Sequence, residues 1–159
     1  MIYAGIGSRE TPREVCKYFH QWGTYLHVSG HILRSGGARG ADTAFENGCD
    51  SLNMAYLKKQ IFTAQDALFR DDWAAHAARF HPAWDKCSPY AKRLHARNSA
   101  IMLGHDLGTP VNFVLCWTKD GGATGGTGQA LRIAAALGIP VFNWFFPQAD
   151  NQFRTWLGV

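Results

Sequence analysis

Val111-Asn112-Phe113-Val114-Leu115-Cys116-Trp117, with Gly121-Gly122-Ala123-Thr124-Gly125-Gly126-Thr127-Gly128 close behind it, decides how this chain folds. The first stretch is continuous, β-rich and apolar, the pattern of a central strand buried on both faces of a parallel sheet. The second is rich in residues without side chains, and Gln129 to Leu137 beyond it reads as a helix closed by Gly138. Strand, glycine turn and helix in that order bring backbone N–H groups and the positive end of a helix to the carboxyl edge of a sheet. A bulky anion can approach there.

Two further copies of the arrangement lie upstream. Ile2 to Gly7 reads as a buried strand entering Gly5-Ile6-Gly7-Ser8-Arg9. Thr11-Pro12-Arg13-Glu14 then reads as a capping box, and Val15, Phe19, Trp22 and Leu26 form one apolar helix face ended by Gly30. Ile32 to Arg34 starts a second strand, followed by Ser35-Gly36-Gly37-Ala38-Arg39-Gly40 and a helix from Ala41 to Asn47 that Gly48 closes. Met54 to Leu57 is read as a third strand. Thr63 caps a helix from Ala64 to Phe80 with Phe69, Trp73 and Phe80 inward, and His81-Pro82 stops it. Ser88-Pro89 opens a helix to about Leu103; Val141 to Phe145 is the last strand and Gln148 to Leu157 the last helix. The order implies an α/β fold in one domain, residues 1–159, with a central parallel sheet flanked by helices. Residues 58–110 read as a helical crossover elaboration within it.

Composition fits a globular domain: 159 residues, 47% hydrophobic and 18% charged. The net charge of +4 and a sequence pI near 9.0 are compatible with a polyanionic partner, and Lys92, Arg93, His95 and Arg97 form the densest basic run. The four cysteines, Cys16, Cys49, Cys87 and Cys116, show no C-x-x-C spacing, and the seven histidines show no H-E-x-x-H. His76 and His81 do not share a helix face. No metal and no cofactor is expected. No apolar run approaches the ~20 residues of a membrane span. The first strand begins at the second residue, leaving no room for a signal peptide, so a reducing cytoplasm is the expected compartment.

The glycine stretches fail the two common nucleotide fingerprints. Gly5-Ile6-Gly7-Ser8-Arg9-Glu10 ends in glutamate where G-x-G-x-x-G needs glycine, and the third stretch lacks the lysine of a P-loop. What remains resembles the SLOG superfamily, a Rossmann-like group that includes DNA-processing protein A and the LOG hydrolases. Ser35-Gly36-Gly37-Ala38-Arg39-Gly40-Ala41-Asp42 is similar to the S-G-x-A-x-G-[IA]-D signature of the first branch, with one extra glycine. Gly7-Ser8-Arg9 matches its first turn, and Arg97-Asn98 followed by Ile101 its R-N-x-x-I segment. Gly125-Gly126-Thr127-Gly128 resembles the G-G-x-G of the LOG branch. The blocks beginning at Leu94, Cys116, Gly125 and Gly138 resemble short members of the DNA-processing branch common in bacteriophage genomes, which would place the chain in a host cytoplasm.

The resemblance implies a three-layer Rossmann-like fold, a homodimer or higher homo-oligomer, and a ligand site at the glycine turns. The expected contacts are Gly7, Ser8, Arg9, Gly36, Gly37, Arg39, Gly40, Asp42, Arg97, Asn98, Gly125, Gly126, Thr127 and Gly128. Arg39 is placed to clasp a phosphate, and Asp42 either to accept from a ribose hydroxyl or to serve as an acid favoured by a helix N-terminus. The leading expectation is capture of a nucleotide-derived phosphate ligand, as a sensor or sponge, without turnover. Single-stranded DNA binding in recombination is the second. N-glycosidic hydrolysis of a nucleoside monophosphate is the third, and the sequence argues against it. The LOG motif G-G-x-G-T-x-x-E places its glutamate where this chain has Arg132, and a cation there opposes the charge that develops on the ribose. Asp42 and Glu46 are the carboxylates left to act as catalytic substitutes.

Overall fold

The computed structural model describes residues 1–52 and 59–159. Strands β1 (Ile2–Gly7), β2 (Ile32–Ser35), β3 (Lys59–Ile61), β4 (Phe113–Trp117) and β5 (Val141–Asn143) form one parallel sheet in the order β3-β2-β1-β4-β5. Helices α1 (Arg13–Val28), α2 (Ala41–Asp50), α3 (Asp71–Ala78), α4 (Pro89–Leu103), α5 (Gly125–Leu137) and α6 (Ala149–Leu157) flank it. Short 3₁₀ turns lie at Asp66–Phe69 and Trp84–Lys86. The expected α/β, Rossmann-like architecture is the one observed. The strand read at Met54–Leu57 lies outside the described residues.

Alternation along the strands builds two cores on the two faces of the sheet. Tyr3, Phe113, Leu115 and Trp117 meet Phe19, Trp22 and Leu26 of α1, Phe45 of α2 and Phe153 of α6. The neighbours in between, Ala4, Ile6, Val114 and Cys116, meet Ala96 and Ile101 of α4, Ile133 of α5 and Trp73 of α3. Phe19 and Phe45 stack with ring centroids 4.3 Å apart, locking α1 on α2. Each such side chain removed from water contributes about 1.5–3 kcal/mol, so these rings hold the turns above them in register.

Local structure departs from the sequence reading where a side chain finds a competing partner. The Thr11 capping box does not form: Thr11 Oγ1 donates to the Ser8 carbonyl at 2.6 Å and Pro12 caps α1 without a side-chain bond. Ser88 does cap α4, accepting from the Ala91 amide at 3.1 Å. The helix read from Ala64 to Phe80 is broken. Asp66 Oδ2 accepts from the Thr63 amide and hydroxyl, each at 2.7 Å, closing a separate turn, and the chain restarts at α3 beyond Arg70. Phe69, read as inward, is consequently 91% exposed. Helix α2 runs through Gly48 to Asp50, because that glycine serves close contact with the backbone of α1 at His20 and does not stop the helix. Strand β5 ends at Asn143, whose Oδ1 takes the Phe145 amide at 3.1 Å.

Candidate phosphate-binding cleft

Strands β1 and β4 are adjacent, but the chain leaves β1 toward β2 and reaches β4 only after the crossover. This is the switch point of the sheet, where the following loops diverge and open a crevice. A cleft of about 600 Å³ lies there, bounded by Ser8 and Arg9 after β1, Thr118 and Lys119 after β4, and Thr124 to Thr127 at the start of α5. Helix α4 closes the far wall with Tyr90, Leu94, Arg97 and Asn98. A second hollow of about 380 Å³ adjoins it and shares Arg9, Ala38, Tyr90, Leu94 and Arg97. It adds Arg93, Gly36 and Gly37, together with Thr63 to Gln65. The two form one trough crossing the sheet edge from α5 to the turn after β2.

Within this trough the three glycine stretches play different parts. In the first two, the amides of Gly7, Ser8, Gly36 and Ala38 are taken by protein, while those of Arg9, Gly37, Arg39 and Gly40 have no acceptor among the described residues. Asp42, 3% exposed, accepts from the Gly7 amide at 3.1 Å through Oδ1 and from those of Gly36 and Ala38 at 3.0 and 3.4 Å through Oδ2. The Ser8 amide donates to the Trp117 carbonyl at 3.1 Å. Asp42 is therefore a buried tie between two turns that also lines the cleft, with both of its oxygens engaged by backbone amides. Burial, the largest influence, raises its carboxyl above the usual range, while Arg97 and the three amides pull the other way. Glycine is required at Gly40 because its φ is +88° and a Cβ would lie 2.7 Å from the Ser8 carbonyl. The second turn is thus packed on the first.

The third stretch is open. It is the first turn of α5 itself, not a loop before a helix at Gln129. Gly125 has φ +62°, and a Cβ on Gly125 or Gly126 would meet nothing within 4 Å. The first intrahelical bond is Gly128 N–H to the Thr124 carbonyl at 2.9 Å. The amides of Gly125, Gly126 and Thr127 therefore have no acceptor among the described residues, an arrangement that an anion can approach. Asn98, 6% exposed, fixes the turn by donating Nδ2 to the Gly126 carbonyl at 2.8 Å. Gly128 is buried beneath, against Ala123, and lines neither hollow.

The cations complete the site. Arg97 Nη1 donates to the Gly36 carbonyl, and its Nε has no partner among the described residues. Lys119 pairs with Glu10 at 3.3 Å with both side chains largely in solvent, a contact worth about 0–1 kcal/mol that a phosphate can displace. Arg93 lies over the ring of Tyr90 at 5.6 Å, and Tyr90 is 53% exposed. Arg39 is exposed and lines neither hollow, so the structure does not bring it to the others. Tyr90, Thr118, Lys119 and Arg93 are the cleft residues that the glycine motifs left out. The basic run on α4 pointed to Arg93, and the block beginning at Cys116 contained Thr118 and Lys119.

The first turn of α5 carries no carboxylate of its own, and Asp120 before it accepts from the Gly122 amide at 2.9 Å and the Thr124 hydroxyl at 2.8 Å. Arg132 donates Nε to the Phe80 carbonyl at 2.9 Å, Nη1 to that of Ala123 at 3.2 Å and Nη2 to Gln129 Oε1 at 2.8 Å. Gln129 in turn donates to the Ala77 carbonyl at 2.8 Å. Both motif positions thus hold α5 against the end of α3. Glu46 lies under the second turn, lines neither hollow, and keeps Oε1 without a partner among the described residues. Burial foremost raises its carboxyl above the usual range.

Neither a scan against protein-family models nor a search of the curated proteins found a match. Among solved structures the chain is similar to DNA processing protein A from Helicobacter pylori, in a structure described as giving insight into that protein's unique single-stranded DNA binding mode. The two are 16% identical with a TM-score of 0.60, over 90% of this chain and 64% of that one. This chain therefore spans less than two thirds of that protein's length. At this identity the likeness is one of fold: the chain has the Rossmann-like architecture of DNA processing protein A.

Proposed function

We propose that the protein binds single-stranded DNA along the trough. One phosphate is seated on the α5 amides, the next lies against Arg97 and Arg9, and a base is stacked on Tyr90. The observation that carries this reading is the continuity of the two hollows, which extends the basic surface past a single phosphate to Arg93. A strand with repeating phosphates and unstacked bases suits such an open, arginine-lined groove with an exposed aromatic ring. The structural neighbour described as binding single-stranded DNA supports the same choice. Membership of the SLOG superfamily and a homodimeric state belong to this proposal as well; light scattering on the purified chain tests the second.

Anisotropy of a labelled oligothymidylate, measured across a salt series, tests the reading. Each phosphate contact in a single strand contributes a slope of about −0.7 in log K against log salt. Arg9→Ala should weaken binding and make the slope shallower by about 0.7, while Arg39→Ala, outside both hollows, should leave it unchanged. Binding that ignores both salt and Arg9→Ala would refute strand recognition.

The larger hollow favours one second reading, capture of a lone nucleotide by the α5 amides, since about 600 Å³ suits a ligand of that size. Mononucleotide binding of weak salt dependence, with no oligonucleotide binding, would select it.

A further inference from the structure

His81, Cys87 and His95 are far apart in any simple spacing motif, yet the fold gathers them. Each offers one ligand atom, and the three atoms lie within 4.8 Å of one another. His81 follows α3, Cys87 precedes the Ser88 cap of α4, and His95 stands on α4 between Arg93 and Arg97. The Cys87 sulfur lies 3.7 Å from His81 Nε2 and 3.9 Å from Nδ1, and the two imidazole centroids are 4.3 Å apart. Zinc with one thiolate and one imidazole spans about 3.5 Å between the sulfur and nitrogen of a tetrahedron. His95 Nδ1 is buried and has no hydrogen-bond partner among the described residues. An orphaned buried nitrogen of this kind calls for an occupant.

We propose that His81, Cys87 and His95 bind a zinc-class divalent cation, with water in the fourth position. Soft sulfur with two imidazoles selects zinc over magnesium or calcium. Loading releases the Cys87 thiol proton to solvent. It also displaces two contacts: Cys87 S–H to the Ala83 carbonyl at 3.6 Å, and the Ala83 amide to His81 Nδ1 at 3.1 Å. The ion would pin the connector between α3 and α4 to the helix that carries Tyr90, Arg93 and Arg97 over the cleft.

Cobalt(II) titration of the purified chain tests the site without reference to DNA binding. The expected result is a thiolate-to-cobalt charge-transfer band together with tetrahedral ligand-field bands, all removed by added zinc. Cys87→Ser should abolish the charge-transfer band, Cys16→Ser should keep it, and His95→Gln should weaken cobalt binding at least about tenfold. Far-ultraviolet circular dichroism of each variant checks that it is folded. A spectrum that stays that of the hydrated ion, a band that survives Cys87→Ser, or unaltered affinity in folded His95→Gln would each overturn the proposal.

Discussion

Asp42 shows how one side chain can decide what a turn is for. It stands on the first turn of α2, where a negative charge favours the positive helix end, and it reaches the amides of both preceding glycine turns. A carboxylate only accepts, so it can serve several N–H groups together. An amide in its place presents a donor to a donor. Asp42→Asn should therefore destabilise the fold by about 1–3 kcal/mol, the cost of leaving a buried amide unpaired. Urea unfolding should show a lower midpoint with an unchanged slope. An unaltered midpoint would mean that the two turns are held by something else. The sequence located Asp42 at the site through its signature but not its direction. Residue type and spacing identify a carboxylate beneath two turns, whereas only the assembled sheet shows that its oxygens meet backbone.

At the scale of the element, α5 and α3 mark the limits of periodicity. Gly125 to Gly128 read as a loop because glycine is a poor helix former, yet in the structure these residues are the first turn of α5. A first turn has no intrahelical acceptors for its amides, so its residues answer to what approaches from outside. The Phe69, Trp73 and Phe80 pattern suggested one long helix, but the local Thr63–Asp66 bonds divided it, and apolar spacing carries no record of that competition. By contrast, the strand at Phe113–Trp117 and the Ser88-Pro89 start of α4 were legible, because burial on both faces and a capped proline leave one outcome. Gly126→Val follows from the same logic. Its Cβ meets nothing within 4 Å and its φ is not left-handed, so stability should move by less than about 0.5 kcal/mol. The branched side chain would nevertheless stand among the three open amides, and oligothymidylate affinity should fall at least about tenfold, or about 1.4 kcal/mol. Normal affinity in the folded variant would remove α5 from the site.

Across the whole molecule, the fold pairs some backbone N–H groups at the sheet edge and leaves others without an acceptor among the described residues, and hydrogen exchange reads that division directly. Strand β4 is buried throughout and paired on both sides by β1 and β5, so its amides should exchange only by global opening. The amides of Gly7, Gly36 and Ala38 should also be slow without ligand, because Asp42 already holds them. Those of Gly125, Gly126 and Thr127 should be fast, being unpaired at the mouth of the cleft. Saturation with oligothymidylate should slow the α5 group and leave the Asp42 group unaltered. The contrast distinguishes a phosphate seated on α5 from binding that merely stiffens the molecule, which would slow both sets together. Protection gained at Gly36 and Ala38 but not at Gly126 would show that the ligand displaces Asp42, and would move the site from the switch point to the turn after β2.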